Sequence, residues 1–303
     1  MPVLFVLMWS TGFVVARYGT EDAGPLTFLG VRTLVASVVL GSVAVATGAP
    51  RPSRADVGWT SVAAMGLHVV YLGGVFVGIS LGLPSGLSAL IAGLHPLVTS
   101  LASGPVLGER LRRVQWAGVG LGLLGVVAVV VDRLQAKAVG VTGGALLAAS
   151  LSVLGMSAGS LVQRRHGSTA PLLWSAAVQY AAATPVFLVG AVFVEHWKVH
   201  VTGRFLFSLA WAVFVLSIGA VLLMLLLLQR QAASQVSSLF FLTPALSTIE
   251  GAILFHERLG ILALGGLAVA LVGVALTVRS PGAGALVAPS GVPRVQGIPP
   301  DEV

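Results

Sequence analysis

The sequence predicts an all-α integral membrane protein of ten transmembrane helices arranged as two inverted five-helix repeats. Three observations carry this reading. The chain of 303 residues is 56% apolar and only 9% charged, where an ordinary soluble domain is about 25% charged. Apolar stretches recur along the whole length, each long enough for a helix to cross a hydrocarbon core about 30 Å thick. Residues 88–111, SALIAGLHPLVTSLASGPVLGERL, and 236–259, VSSLFFLTPALSTIEGAILFHERL, share a Leu-x-Pro start and a Glu-Arg-Leu end.

Polar or Gly/Pro breaks delimit the spans. The first, 2–17, holds the apolar run Val3 to Ala16; with no basic stretch before it and no cleavage site before a soluble domain, it is expected to be retained as a helix. The second, 25–47, begins after Gly24 and ends before the polar stretch containing Arg51 and Arg54. The third, 57–79, and the fourth, 83–107, are parted by Gly82, and the fourth ends at Glu109-Arg110-Leu111. The fifth, 114–131, is short and carries Gly118, Gly120, Gly122 and Gly125, small residues that allow close helix packing. The sixth, 140–162, ends before Arg164-Arg165; the seventh, 171–194, contains Pro185, an expected kink. The eighth, 205–228, and the ninth, 235–255, are parted around Arg230, and the tenth, 260–278, follows Glu257-Arg258-Leu259. No series of segments alternates apolar and polar residues, which excludes a transmembrane β-barrel. The tail, 280–303, is Pro/Gly-rich without periodicity and is expected to be disordered.

The duplication has a fixed offset of 148 residues, the interval from Pro96 to Pro244. Leu94, Pro96, Glu109, Arg110, Leu111, Gly118 and Gly125 fall on Leu242, Pro244, Glu257, Arg258, Leu259, Gly266 and Gly273, and Arg17 falls on Arg165. Glu250 has no such twin, because its counterpart is Ala102. Residues 1–134 and 140–279 thus read as two repeats, and an odd number of spans in each makes the second cross the membrane in the opposite sense.

Charge sets the expected orientation. Arg51, Arg54, Arg110, Arg112, Arg113, Arg164, Arg165, Arg230, Arg279 and Arg294 lie on the side of the termini, against Arg17, Arg133, Lys137, Lys198, Arg204 and Arg258 on the other. Both termini are therefore expected in the cytoplasm. The net charge of +7 is scattered among loops, so nucleic acid is not an expected partner. The partners expected are the lipid bilayer and a small molecule.

With ten spans in two halves, Pro followed thirteen residues later by Glu-Arg-Leu in each, and an N-terminal Trp9-Ser10 motif, the chain resembles the EamA-type members of the drug/metabolite transporter superfamily over about residues 1–279. The resemblance implies a bacterial inner-membrane exporter of small metabolites, including amino acids, with a central cavity shared by the halves. His256 departs from the first half, which has Gly108 there.

Polar residues inside spans are candidate sites, since exposure to lipid would cost several kcal/mol. Ser88, His95, Thr99 and Ser103 fall on one face of the fourth span, and Thr243, Ser247 and Glu250 on one face of the ninth. Trp9, His68 and His95 fall near the midplane, with Tyr71 one turn from His68. Trp9, His68, Tyr71, His95, Thr243 and Ser247 are the expected substrate or coupling residues, with protons as a candidate second substrate through the imidazoles. Arg32 and Glu250 lie at similar depth and are the candidate outer gate, either as an ion pair or with Arg32 reaching alone to the outer headgroups; Gln179 and Tyr180 are further candidate contacts.

There is no G-x-x-x-x-G-K-[ST], no H-E-x-x-H, no G-x-S-x-G and no cysteine, so ATP hydrolysis, zinc proteolysis, serine hydrolysis and thiolate metal sites are not expected, and no cofactor is implied. Two alternatives to a gradient-driven transporter working by alternating access stay open. A lipid-modifying membrane enzyme would use His68, His95 and Glu250 as acid/base groups, and a passive channel would need no alternation.

Overall fold

The computed structural model describes residues 2–107, 112–135, 142–166, 171–221, 223, 242–257 and 260–278. Glu109, Arg110 and Arg258 of the repeated motif, and the tail from 280, lie outside the described residues.

Helix follows helix: α1 (Pro2–Asp22), α2 (Pro25–Ala46), α3 (Arg54–Ala64), a π-helical segment (Met65–Val70) and α4 (Tyr71–Ser80). Then come α5 (Ser85–Ala92), α6 (His95–Leu107), α7 (Arg113–Gln135), α8 (Gly143–His166), α9 (Leu172–Phe193) and α10 (Gly203–Ala210). A second π-helical segment (Trp211–Ala220), α11 (Thr243–Phe255) and α12 (Ile261–Val278) complete the series. Among the described residues there is no strand, only an isolated bridge between Ala23 and Val199. Among the described residues, seven helical rods are long and apolar enough to cross a membrane, and shorter apolar helices cover Arg113–Val129 and Ile261–Leu276.

The polarity of inside and outside matches a lipid solvent. Ser10, Thr33, Ser85, Ser152, Ser217 and Ser247 are buried, whereas Phe193 is 75% exposed and Ile261 90%. In water that distribution would be unstable; in hydrocarbon, side chains such as Leu and Phe face outward without penalty and hydroxyls turn inward to find partners.

Two of the helix starts explain part of the repeated motif. Pro96 is the second residue of α6 and Pro244 the second of α11. A missing N–H is harmless there, because the first helical turn has no carbonyl to donate to. The fourth predicted span is consequently two helices, α5 and α6, separated at Gly93 and Leu94. The seventh, by contrast, runs through Pro185 as one helix. His256 ends α11 in the left-handed region at φ 54°, a conformation that glycine, the residue at 108, takes without a Cβ clash.

The helices pack in pairs. α2 lies along α9 and α7 along α12; α1 packs on α10, the second π segment and α11, while α8 packs on the first π segment, α4 and α6. The α7–α12 contact is made backbone to backbone. A Cβ on Gly125 would sit 2.5 Å from the Gly266 carbonyl oxygen and one on Gly273 2.6 Å from that of Gly118, whereas Gly120 faces open space. Gly118, Gly122 and Gly125 thus belong to the contact, and Gly120, expected with them, does not.

An aromatic core holds Phe28 between Phe76, at 5.5 Å, and Phe205, at 5.9 Å between ring centroids. Beyond it the chain is tied by charge: Arg204 donates from Nε to Asp22 Oδ2 at 2.8 Å and from Nη2 to Oδ1 at 2.9 Å. Glu195 accepts from the Leu26 and Thr27 backbone N–H groups, both at 2.8 Å, and so caps α2.

Candidate functional site

A cavity of about 570 Å³ lies between the helices, lined by residues of α1, α2, both π segments, α4, α6, α8 and α9. Trp9, Arg32, His68, Tyr71 and His95 all face it, joined by Gln179 and Tyr180.

Local winding places the first of these groups. The Tyr71 N–H donates to the Gly66 carbonyl, five residues back, and this wider turn re-phases the helix at His68. Gly66 is where α8 presses in: a Cβ there would meet the Gly159 backbone at 2.7 Å. His68 Nε2 lies 3.1 Å from Gln179 Oε1, so Nε2–H donates to the carboxamide oxygen. The imidazole rests 4.7 Å from the Tyr180 ring.

Arg32 is 6% exposed. Its Nε donates to Ser217 Oγ at 3.2 Å, and that hydroxyl donates in turn to the Ala212 carbonyl at 2.9 Å, again five residues back in a π segment. Tyr71 and Tyr180 flank the guanidinium. Among the described residues no carboxylate pairs with it; the ion pairs are Arg17–Glu257 and Arg204 with Glu21 and Asp22.

His95 opens α6, its Nδ1 3.3 Å from the Ala92 carbonyl, and Thr99 follows one turn later on the cavity wall with its Oγ1 unpartnered. Ser88, expected on the same stripe, is not on that wall, because the break at Gly93 and Leu94 interrupts the helical phase. Trp9 sits on the wall from α1, packed on Phe5 at 5.5 Å.

The polar face of α11 goes elsewhere. Ser247 Oγ donates to the Ser10 carbonyl at 3.1 Å, and Ser10 Oγ donates to Glu250 Oε1 at 2.5 Å. Thr243, Ser247 and Glu250 thus do not line the cavity; Ser247 and Glu250 form a seam with α1 behind it, and Thr243 is buried on the same helix. The expected Arg32–Glu250 pair is corrected accordingly: Arg32 bonds Ser217 on the cavity side of α1 and Glu250 bonds Ser10 on the other.

No group of three or more His, Cys, Asp or Glu that could hold a metal occurs among the described residues. Sequence reasoning missed Ser217, Ser160 and Gln163; Ser217 carried no signal of its own, because its role depends on Arg32 reaching it from another helix.

The sequence matches the EamA-like transporter family over residues 1–131 and 143–279. The chain belongs to that family. This EamA-like transporter is 28% identical over 280 residues to "Uncharacterized transporter YvbV" of Bacillus subtilis, an alignment covering 89% of this chain and 88% of the relative. It is 28% identical over 272 residues to the "Probable amino-acid metabolite efflux pump" of Escherichia coli K12, covering 86% and 87% of the two chains. A solved structure described as "Crystal structure of protein" superposes with a TM-score of 0.65 at 22% identity, covering 91% of this chain and 94% of that one, a likeness of fold. Its relatives are transporters rather than enzymes, and this family member is a multi-pass membrane protein.

Proposed function

We propose that the protein is a secondary transporter of the bacterial inner membrane that exports small metabolites, amino acids or related compounds, through the central cavity by alternating access. The observation that carries this reading is a cavity of about 570 Å³ whose wall is shared by residues before 134 and after 140. A site between two halves is where rocking of one half against the other exposes bound solute to alternate sides.

The ten-helix inverted repeat is supported by the packing. Two helices, α2 and α7, lie on their own counterparts at the 148-residue offset, α9 and α12. The α1 contacts with α10 and the second π segment have equivalents in those of α8 with α3 and the first π segment. The offset carries Met65–Val70 into Trp211–Ala220, so the two π segments are equivalent as well.

Access to the cavity from the cytoplasm is supported by where the wall ends. It reaches Gln163, Arg164 and Leu172, at the side that loop charges assign to the cytoplasm along with both termini. The Arg17–Glu257 and Arg204–Asp22 contacts and the Ala23–Val199 bridge tie helices together at the C-terminal end of α1.

The test is counterflow of labelled amino acids in proteoliposomes reconstituted with the purified protein. Saturable counterflow, lost with His68→Trp, which fills the cavity, is the expected result. Uptake that rises linearly with concentration and shows no counterflow points to a passive channel and sinks the reading.

A further inference from the structure

We infer that Arg32 is the anchor for a carboxylate on the transported molecule, so that the cavity selects monoanionic or zwitterionic solutes with an apolar part. The inference rests on the transporter reading above and deepens it.

The starting point is an electrostatic imbalance. Arg32 lies within a membrane-spanning helix, 6% exposed, on the wall of the cavity. A guanidinium there is tolerated when a counter-charge or water-filled space meets it. Among the described residues no carboxylate does. Glu250, the acidic side chain expected to serve, is held by Ser10. The missing counter-charge is therefore assigned to the occupant of the cavity.

The arrangement also has a direction. Ser217 takes the Nε donor at 3.2 Å and Tyr180 hydrogen-bonds the guanidinium as well, while the planar fork still offers further terminal N–H donors, the geometry that matches the oxygens of a carboxylate. Thr99 Oγ1, a buried hydroxyl without a partner on the same wall, supplies a further polar contact. The remaining wall, with Trp9, Phe13, Leu72 and Phe76, is apolar and suits a hydrocarbon or aromatic substituent. Arg164 is on the wall too but exposed, so at the buried site one guanidinium neutralises one negative charge; a phosphate ester, with about two at neutral pH, would be left with an excess there, so a carboxylate is favoured.

The experiment compares the metabolites retained by cells producing the wild type, Arg32→Gln and Arg32→Lys at equal amounts in the membrane, with empty-vector cells as the reference. The cell's own metabolite pool is the probe. Compounds depleted by the wild type are expected to carry a carboxylate. Their efflux should fall by about tenfold or more in Arg32→Gln, with part of it kept in Arg32→Lys, whose charge remains but whose fork is lost. Depletion of amines, neutral compounds or phosphate esters alone overturns the carboxylate assignment and leaves the transporter reading standing. Depletion of no compound by the wild type overturns both. Should Arg32→Gln fail to reach the membrane, wild-type counterflow of labelled L-phenylalanine against unlabelled L-phenylalanine or L-phenylalaninamide decides. Equal exchange by acid and amide overturns the assignment, and exchange by the acid alone supports it.

Discussion

Glu257 caps a helix that begins 172 residues earlier in the chain at Ser85: its Oε1 accepts from the Ser85 backbone N–H at 2.9 Å and from the Ser85 hydroxyl at 3.0 Å. Its Oε2 accepts from the Gly86 N–H at 3.3 Å, and Arg17 donates to Oε1 at 3.0 Å. The acidic residue of the repeated motif therefore satisfies the orphan amides of α5 from the other half of the molecule, where the helix dipole favours negative charge. Glu257→Gln keeps one acceptor and loses the charge; it should destabilise the protein by about 1–3 kcal/mol, seen as a lower unfolding temperature in nanodiscs. Arg17→Ala should do less, because the Arg17 side chain is 36% exposed and exposed ion pairs contribute little. An Arg17→Ala loss larger than that of Glu257→Gln would mean the ion pair, not the cap, is what matters.

At the α7–α12 contact, bulk should be fatal on one face only. Gly125→Leu places a side chain where the Gly266 carbonyl oxygen lies 2.5 Å from a Cβ, so the helices must separate and thermal stability in detergent should drop sharply. Gly120→Leu, which meets nothing within 4 Å, should leave stability within about 0.5 kcal/mol of wild type. Equal losses would show that lipid contact at Gly120 matters as much as helix contact at Gly125.

Gln179→Leu leaves the His68 N–H without its acceptor at 3.1 Å. The loss of a buried partner should cost about 1–3 kcal/mol of stability and raise the KM for counterflow. His68→Gln and His95→Gln test proton coupling: transport that ceases to follow an imposed pH gradient in either variant supports it, and an unchanged gradient dependence in both removes the imidazoles from that role.

The doubly substituted Arg32→Glu, Glu250→Arg protein should transport no better than either single variant, because the two side chains have separate partners in Ser217 and Ser10. Glu250→Gln, which still accepts from Ser10, should be milder than Glu250→Leu in unfolding measurements. Recovery of transport in the double variant would restore the outer gate that the geometry argues against.

Membrane class, helical secondary structure and family were legible in the sequence, since each depends on local properties: the length of apolar runs, the scarcity of charge, and the spacing of Pro and Glu-Arg-Leu. His95 and Thr99 could be placed on one wall because a single uninterrupted helix carries both. Ser88 could not, because the break at Gly93 and Leu94 lies between it and His95 and helical periodicity assumes no break. The π segments are similarly silent in sequence; one extra residue in a turn shifts every side chain beyond it, and His68 and Ser217 both lie within such turns.

The sequence by itself determined that apolar helices cross a membrane and that the motif of residues 88–111 returns at 236–259, because burial in lipid and residue spacing act along the chain. Which neighbour each polar stripe meets was decided only by tertiary structure. The α11 stripe turned to Ser10 and not to the cavity, Arg32 found Ser217 and not Glu250, and Glu257 found the open end of α5. Hydrogen bonds and ion pairs act over about 3 Å between helices distant in sequence, and no periodicity within one helix specifies what lies across from it.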